Sequence, residues 1–282
     1  MGFAESLSAI DCLSESERNV ATFIAQNADN IIHYSIQEVA AQSFTSTTTV
    51  LRLCKKLGFN GFKELKAKLA LDSKVRLAKE TGVDVNVPFD ERDSKITIAS
   101  KIAGLTRDTI NSCLLYLNED SLSKAIDLLI EAENILAIGV SDSFIRLIDF
   151  QNKMLKIDAY VKITYFQPDQ VYLCANATNR DVALIVSYSG TTAEVVNEAK
   201  ILHERRVPMV AITSRPESLV GQYAQVVIQV PADEQESIAN YSLSSQIAIE
   251  YTLNTLFSCI YATHYNERKG HLLTGRKCYL HK

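Results

Sequence analysis

Along the first sixty residues the apolar positions recur at intervals of three and four, the spacing of one face of a helix. Val20, Phe23 and Ile24 form the first such set, Ile36, Val39 and Ala40 the second, and Val50, Leu53, Cys54 and Leu57 the third. Each set is introduced by a polar cap. Ser14 with Glu17, and Ser35 with Glu38, have the spacing of a capping box, and Ser46 stands where an N-cap is needed for the third helix. Gly58 marks the end of that helix, and the Gln42-Ser43-Phe44 break before it leaves room for only a tight turn. Three short helices with a tight turn before the third predict a helix-turn-helix over residues 36–52.

The helical period is lost between residues 72 and 93, where Gly82 and Pro88 interrupt the chain. Residues 96–117 and 121–132 then read as amphipathic helices. After them the pattern changes to short runs rich in Val and Ile at 134–139, 159–164, 181–187, 208–213 and 226–230, most of them separated by helical sequence. Such alternation predicts a parallel sheet covered by helices, with ligands at the C-terminal ends of the strands. A helix over 237–261 closes the chain, and the tail from His264 is too short to be a domain. The expected fold class is α plus α/β: an all-helical domain over 1–77, a linker over 78–95, and a three-layer α/β domain with a five-stranded parallel sheet over 96–282.

Composition narrows the classes without adding elements. With 282 residues and 47% hydrophobic content the chain has material for two cores. It has no run of about 18 apolar residues, and its start, which carries Glu5, lacks the basic-then-apolar grammar of a leader. A cytoplasmic protein with no membrane partner is expected. The six cysteines form no C-x-x-C pair and stand near no histidine at zinc-ligand spacing, so reduced thiols, no metal and no cofactor are expected.

The net charge of −4 is unevenly distributed. Residues 1–45 carry net −5, whereas residues 46–76 carry net +6 from Arg52, Lys55, Lys56, Lys63, Lys66, Lys68, Lys74 and Arg76 against Glu64 and Asp72. One compact basic segment in an acidic chain suits a footprint on DNA phosphates and equally suits a solvated helix face. Side-chain chemistry adds to this. Ser46, Thr47, Thr48, Thr49 and Arg52 lie away from Val50 and Leu53, where short hydroxyls at a helix start can reach phosphates and base edges, or act only as caps. Arg52, Lys55 and Lys56 are the expected phosphate contacts, and Thr47 and Thr48 the expected base readers.

A second concentration of chemistry follows the apolar run 184–186. Ser187, Ser189, Gly190, Thr191 and Thr192 place hydroxyls and backbone N–H groups at a strand-to-helix turn, where a phosphate could sit. No Lys follows the glycine, so the segment is not a P-loop. A polar turn without a ligand is the alternative.

The stretch from Ser46 to Lys66 resembles the DNA-binding signature of RpiR/MurR-type regulators, a Thr-Val-x-Arg helix running into a Lys-Leu-Gly-Phe-x-Gly-Phe turn. Thr49, Val50, Arg52, Lys56, Leu57, Gly58, Phe59, Gly61 and Phe62 fall in step with it. Phe44 departs, standing where such turns often use glycine. The segment 187–192 resembles the Ser-x-Ser-Gly-x-Thr loop of sugar isomerase (SIS) domains, which implies that Ser187, Ser189 and Thr192 hold a sugar phosphate. Gly139-Val140-Ser141-Asp142-Ser143 resembles the Gly-x-Gly-x-Ser turn of the same domain with Ser141 in place of the second glycine, so either Ser141 or Ser143 faces the ligand. Thr213-Ser214 matches a third turn loosely. The two resemblances occur in the family's order and imply a transcription regulator that binds double-stranded DNA and a sugar-phosphate effector. A homodimer or homotetramer reading a near-palindromic operator is expected, because a lone helix-turn-helix seldom binds tightly.

The rival expectation is a sugar-phosphate isomerase, since such enzymes share the second domain. Enolisation needs a general base, for which Glu234 or Glu236 would serve, and a histidine such as His203 or His264. A scaffold protein, the third possibility, leaves the hydroxyl turn without a role.

Overall fold

The computed structural model describes residues 13–28, 30–77, 81–234 and 242–280. Cys12, Glu236 and the expected helix start at 237 lie outside these residues. The chain divides into two compact units, residues 1–115 with 232–241, and residues 116–231 with 242–282.

In the first unit, α1 (Glu15–Gln26), a 3₁₀ turn (Ile31–His33), α2 (Ile36–Gln42), α3 (Thr47–Lys56) and α4 (Phe62–Leu77) surround one core. Val20, Ile24, Ile31, Val39, Val50 and Leu53 are all fully buried, so the three apolar sets of the sequence meet at one place. The capping boxes at Ser14 and Ser35 are both closed, each hydroxyl accepting from the N3 amide while the N3 glutamate accepts from the cap amide. The fourth helix extends about a turn past the point where the period fades, and it packs on the 3₁₀ turn. Residues 81–94 hold no regular element, and α5 follows over Lys95–Tyr116. Thr81 is docked on α5, donating from its amide and hydroxyl to Asp108, which is buried.

The second unit is a parallel five-stranded sheet in the order β2-β1-β3-β4-β5, with β1 Ile135–Ile138, β2 Val161–Lys162, β3 Val182–Val186, β4 Met209–Thr213 and β5 Val226–Gln229. On one side, α6 (Glu119–Glu131), α7 (Ser141–Leu155) and α11 (Leu243–Thr263) pack together and reach β1, β2, β3 and β5. On the other, α8 (Gln170–Asn176), α9 (Ala193–Glu204) and α10 (Leu219–Tyr223) cover β1, β3 and β4. This is the expected three-layer α/β arrangement. Strands covered on both faces must be apolar throughout, and every residue of β1, β3 and β4 is buried. Each Val, Leu or Ile so buried contributes about 1.5–3 kcal/mol relative to exposure, as an upper figure. The edge strand β2 is shorter than expected, with Tyr160 and Lys162 turned to solvent. The tail forms a helix, α12 (Tyr265–Leu280), where the sequence suggested only an appendage. None of the described helices is long and apolar enough to cross a membrane.

The strand order fixes where a ligand can enter. From β1 the chain moves outward to β2 on one side, while β3, β4 and β5 build on the other, so β1 and β3 flank the switch point. At such a point the following turns diverge and leave a crevice beyond the strand ends.

Candidate functional site

In the helical unit, α2 ends in a Schellman turn. The amide of Thr45 donates to the Ala40 carbonyl (2.8 Å) and that of Phe44 to the Ala41 carbonyl (3.2 Å), which forces Phe44 to φ 54°. For a bulky residue this conformation costs on the order of 1–2 kcal/mol. Ser43, buried, holds the turn by donating from its hydroxyl to the Val39 carbonyl at 2.7 Å. The turn for which glycine is the unstrained choice therefore forms here with phenylalanine.

Helix α3 then begins. The Ser46 hydroxyl accepts from the Thr49 amide (3.2 Å) and shares a hydrogen bond with the Thr49 hydroxyl (3.0 Å), so both residues cap the helix. Thr47 is half-buried and Thr48 exposed. Val50, Leu53 and Cys54 face the core, which leaves Thr48, Leu51, Arg52 and Lys55 as one exposed stripe at i, i+3, i+4 and i+7. Leu51, 41% exposed, is a member of that stripe which its apolar character hid at the level of sequence. Lys56 is turned differently. Its ammonium lies 2.7 Å from Oε2 of Glu17, a residue only 1% exposed, and thereby ties α3 to α1. The Lys56 hydrogen bond, with that of the Ser14 amide, lowers the Glu17 carboxyl to about 2.

In the sheet unit the two expected turns flank the switch point. The turn after β1 is held by a residue that no local motif marks. Gln170 on α8 is fully buried, its Oε1 accepting from the Gly139 amide (3.0 Å) and its Nε2 donating to the Gly139 carbonyl (2.9 Å). A glutamine near a helix start reads as a surface residue, and only the fold brings it to Gly139. A Cβ at Gly139 would lie 3.2 Å from the Val186 carbonyl and 3.6 Å from the Ser143 Cβ, so the start of α7 sits against the end of β3. Ser143 is half-buried there. Ser141 is exposed at φ 54°, carrying the positive φ expected of the glycine it replaces.

After β3, the Ser187 amide donates to the Ile212 carbonyl at 3.1 Å, while its side chain is 4% exposed and its Oγ has no hydrogen-bond partner among the described residues. Buried hydroxyls are seldom left so. Gly190 takes φ 66°, and a Cβ there would meet Ser218 and lie 3.1 Å from the Thr213 hydroxyl oxygen. The Thr213 hydroxyl (3.1 Å), the Ser214 hydroxyl (2.8 Å) and the Ser214 amide (2.9 Å) all donate to the Tyr188 carbonyl, so the third turn braces the second. Ser189 bonds to the Thr191 hydroxyl (3.0 Å), and Thr192 forms the N-cap of α9 with no side-chain bond to the helix. The structure thus brings Ser143 and Ser187 to adjacent strand ends and sets Ser189 and Thr192 on one braced loop.

Of the residues of the isomerase alternative, Glu236 lies outside the described residues, and Glu234 stands three residues after Pro231, whose carbonyl accepts from the Tyr188 hydroxyl of the second turn at 2.9 Å. His203 lies near the C-terminal end of α9, its ring tilted against that of Tyr223 with centroids 5.0 Å apart, about 16 Å along the helix axis from Thr192. His264 is exposed beyond α11. Glu198 on α9 is 4% exposed and its Oε2 has no hydrogen-bond partner among the described residues; burial, with help from Glu194, raises its carboxyl to about 7.

Comparison with known proteins adds the following. Residues 1–76 match the helix-turn-helix domain of the rpiR family, and residues 128–256 match the SIS domain. The HTH-type transcriptional regulator HexR of Escherichia coli is 29% identical over 89% of this chain and 86% of its own. HexR of Pseudomonas aeruginosa is 28% identical over 82% of this chain and 79% of its own. Among solved structures, the Vibrio vulnificus NanR protein complexed with ManNAc-6P is similar at a TM-score of 0.62 and 20% identity, covering 96% of this chain and 95% of that one. The sugar isomerase domain of an RpiR transcription factor from Sphaerobacter thermophilus matches 64% of this chain and 98% of its own at a TM-score of 0.56 and 14% identity.

Proposed function

Because this chain belongs to the rpiR family of helix-turn-helix regulators and carries a SIS domain behind that module, we propose that its sheet unit binds a phosphorylated sugar which modulates its binding to DNA. The observation that carries the sugar-phosphate reading is the Ser187 hydroxyl, buried and unpartnered among the described residues at the C-terminal end of β3, beside the switch point. A phosphate oxygen at that point would give it an acceptor. Ser143, Ser189 and Thr192 complete the set, with the first-turn amides of α9 as further donors. In this reading Ser141, exposed in the turn after β1, meets the sugar rather than the phosphate.

On the DNA side, Arg52 and Lys55 serve as phosphate contacts, Thr47 and Thr48 read base edges, and Ser46 and Thr49 hold the helix start. Lys56 divides its charge between Glu17 and the duplex, which makes it the weakest of the cations at the interface. The protein acts in the cytoplasm as a homodimer or homotetramer on a near-palindromic operator, with its domains over 1–77 and 96–282. We assign it no turnover, because the histidines of the isomerase alternative lie away from the hydroxyl turns.

The test starts from a panel of sugar phosphates that includes ManNAc-6P, screened by thermal shift on the full chain. A ligand at 100 times its dissociation constant stabilises by about 2.7 kcal/mol. With the sugar in hand, a Ser187→Ala, Ser189→Ala double variant is expected to lose affinity by a factor on the order of 100, since a hydroxyl bonded to a charged acceptor contributes about 1.5–3 kcal/mol. DNA binding without sugar stays as in the wild type, and the response to sugar disappears. A full response in the double variant rejects the site. Turnover of fructose 6-phosphate by the wild type rejects the non-enzymatic reading.

A further inference from the structure

We infer that Phe44 is a base-reading residue of the DNA interface, its ring meeting the 5-methyl group of one thymine beside the bases read by α3. The inference rests on the DNA-binding reading above and adds to it a contact outside the recognition helix.

Two observations on the same side chain carry it. Phe44 is 95% exposed and holds φ 54°, so a large apolar ring stands in solvent on a backbone conformation that disfavours it. Neither feature helps the fold. The turn itself is the same one the chain uses fourteen residues later at the end of α3, where the Phe59 amide donates to the Cys54 carbonyl (2.9 Å) and the Gly58 amide to the Lys55 carbonyl (3.1 Å). There the left-handed position is filled by glycine, at φ 83°. The chain thus has the strain-free solution in one of two equivalent turns and a strained, exposed aromatic in the other.

Location separates the two turns. Gly58 lies at the C-terminal end of α3, whereas Phe44 lies two residues before its N-cap, Ser46. The N-terminal residues of a recognition helix are the ones that reach base edges in the major groove. An aromatic ring there has no donor or acceptor to offer, and the apolar feature that distinguishes one base in that groove is the thymine methyl. The bonds from Ser43 to the Val39 carbonyl and from Thr45 to the Ala40 carbonyl hold the turn on both sides of Phe44, so the ring is presented from a fixed base.

The experiment uses the full chain. A randomised duplex library is selected with wild-type protein, and the enriched duplex is titrated by fluorescence anisotropy with each thymine replaced in turn by deoxyuracil, which lacks only the methyl. Wild type is expected to lose about fourfold at one thymine next to the bases set by Thr47 and Thr48, the value of one buried methyl. Phe44→Gly is expected to bind the enriched duplex about tenfold more weakly, to bind thymine and uracil alike at that position, and to keep its salt dependence, since no phosphate contact is removed. Its thermal midpoint should equal or exceed that of wild type, because glycine accepts φ 54° without strain. Phe44→Asn, which also tolerates that conformation, repeats the binding result with a different side chain. Wild type insensitive to uracil at every thymine overturns the inference, as does a Phe44→Gly protein that binds like wild type. A lowered thermal midpoint in both variants, or a change of oligomeric mass with the uracil response intact, overturns it too, showing a ring needed by the fold or by another copy of the chain. If wild type enriches no duplex, the DNA-binding reading itself fails, and this contact with it.

Discussion

In the helical unit Glu17 is 1% exposed yet accepts hydrogen bonds from the Ser14 amide and the Lys56 ammonium. In the sheet unit Glu198 is 4% exposed, and one of its oxygens is left without a hydrogen-bond partner among the described residues. The first carboxyl is held ionised, down at about 2, by the lysine and the cap amide; the second is pushed up to about 7, first by burial and then by Glu194. Two carboxyls equally shut off from solvent thus have opposite electrostatic results: donors converge on the first, whereas the second lies deeper among apolar groups and its main cause is desolvation. The small helical unit uses its buried charge to join two helices, whereas the sheet unit draws its cohesion from apolar strands and tolerates a neutral acid against α8. Acid should therefore weaken the first unit, and base the second.

The sharpest test of that contrast is a buried polar side chain of the sheet unit that does have partners. Gln170→Leu removes two buried hydrogen bonds to Gly139, so it should destabilise by about 1–3 kcal/mol in urea unfolding. A change below about 1 kcal/mol would mean that the sheet unit is indifferent to its polar partners as well. Next in size is Glu17→Gln. At pH 7 it should cost about 1–2 kcal/mol by weakening the bond to Lys56. Because the folded-state value is depressed from 4.5 to about 2, the wild-type advantage is present above pH 4.5 and is lost as pH falls through that interval. A penalty that persists unchanged near pH 2 would break the assignment. The smallest effect is expected from Glu198→Gln. Here the folded-state value is raised from 4.5 to about 7, so the wild-type contribution is full below pH 4.5 and declines as pH rises toward 7. The variant should be more stable than wild type by about 1 kcal/mol at pH 8 and gain nothing near pH 4. A variant destabilised at pH 8 would show that the carboxylate has a partner.

The same two residues show what was legible in the chain. Glu17 stands three residues after Ser14 and announced its cap bond through local spacing, although nothing local pointed to Lys56, thirty-nine residues away. Glu198, four residues after Glu194 on a helix, has the look of a solvated face, and only the packing of α9 against α8 buries it. The starts of α1, α2 and α3, the helix-turn-helix and all five strands were readable because each rests on a local cap, a local period or a doubly covered apolar run, whereas the closing helix, read from 237, begins at Leu243. Helix α12 was not, since its apolar residues keep no common face and Gly270 and Gly275 interrupt it. At the candidate sites the hydroxyl turns were visible as motifs, but Gln170 was not, because it acts across thirty-one residues on a backbone amide. Phe44 and Ser141 were visible as departures from glycine. That both nevertheless hold positive φ follows from turns closed by main-chain and buried side-chain bonds around them.

Gly190 has a different consequence for anyone who would locate the ligand by substitution tolerance. Its positive φ and the proximity of Ser218 leave no room for a methyl group, so replacement with any other residue should be as damaging as loss of a residue that grips the phosphate. A mutational scan scored on effector response would place Gly190 beside Ser187, and with it Gly221, where a Cβ would run into the Pro216 backbone. Neither glycine has a side chain with which to hold anything. Scores for folded abundance, collected in parallel, would separate the scaffold from the binding surface: both glycines should fall on the two scales together, and Ser187→Ala on one alone.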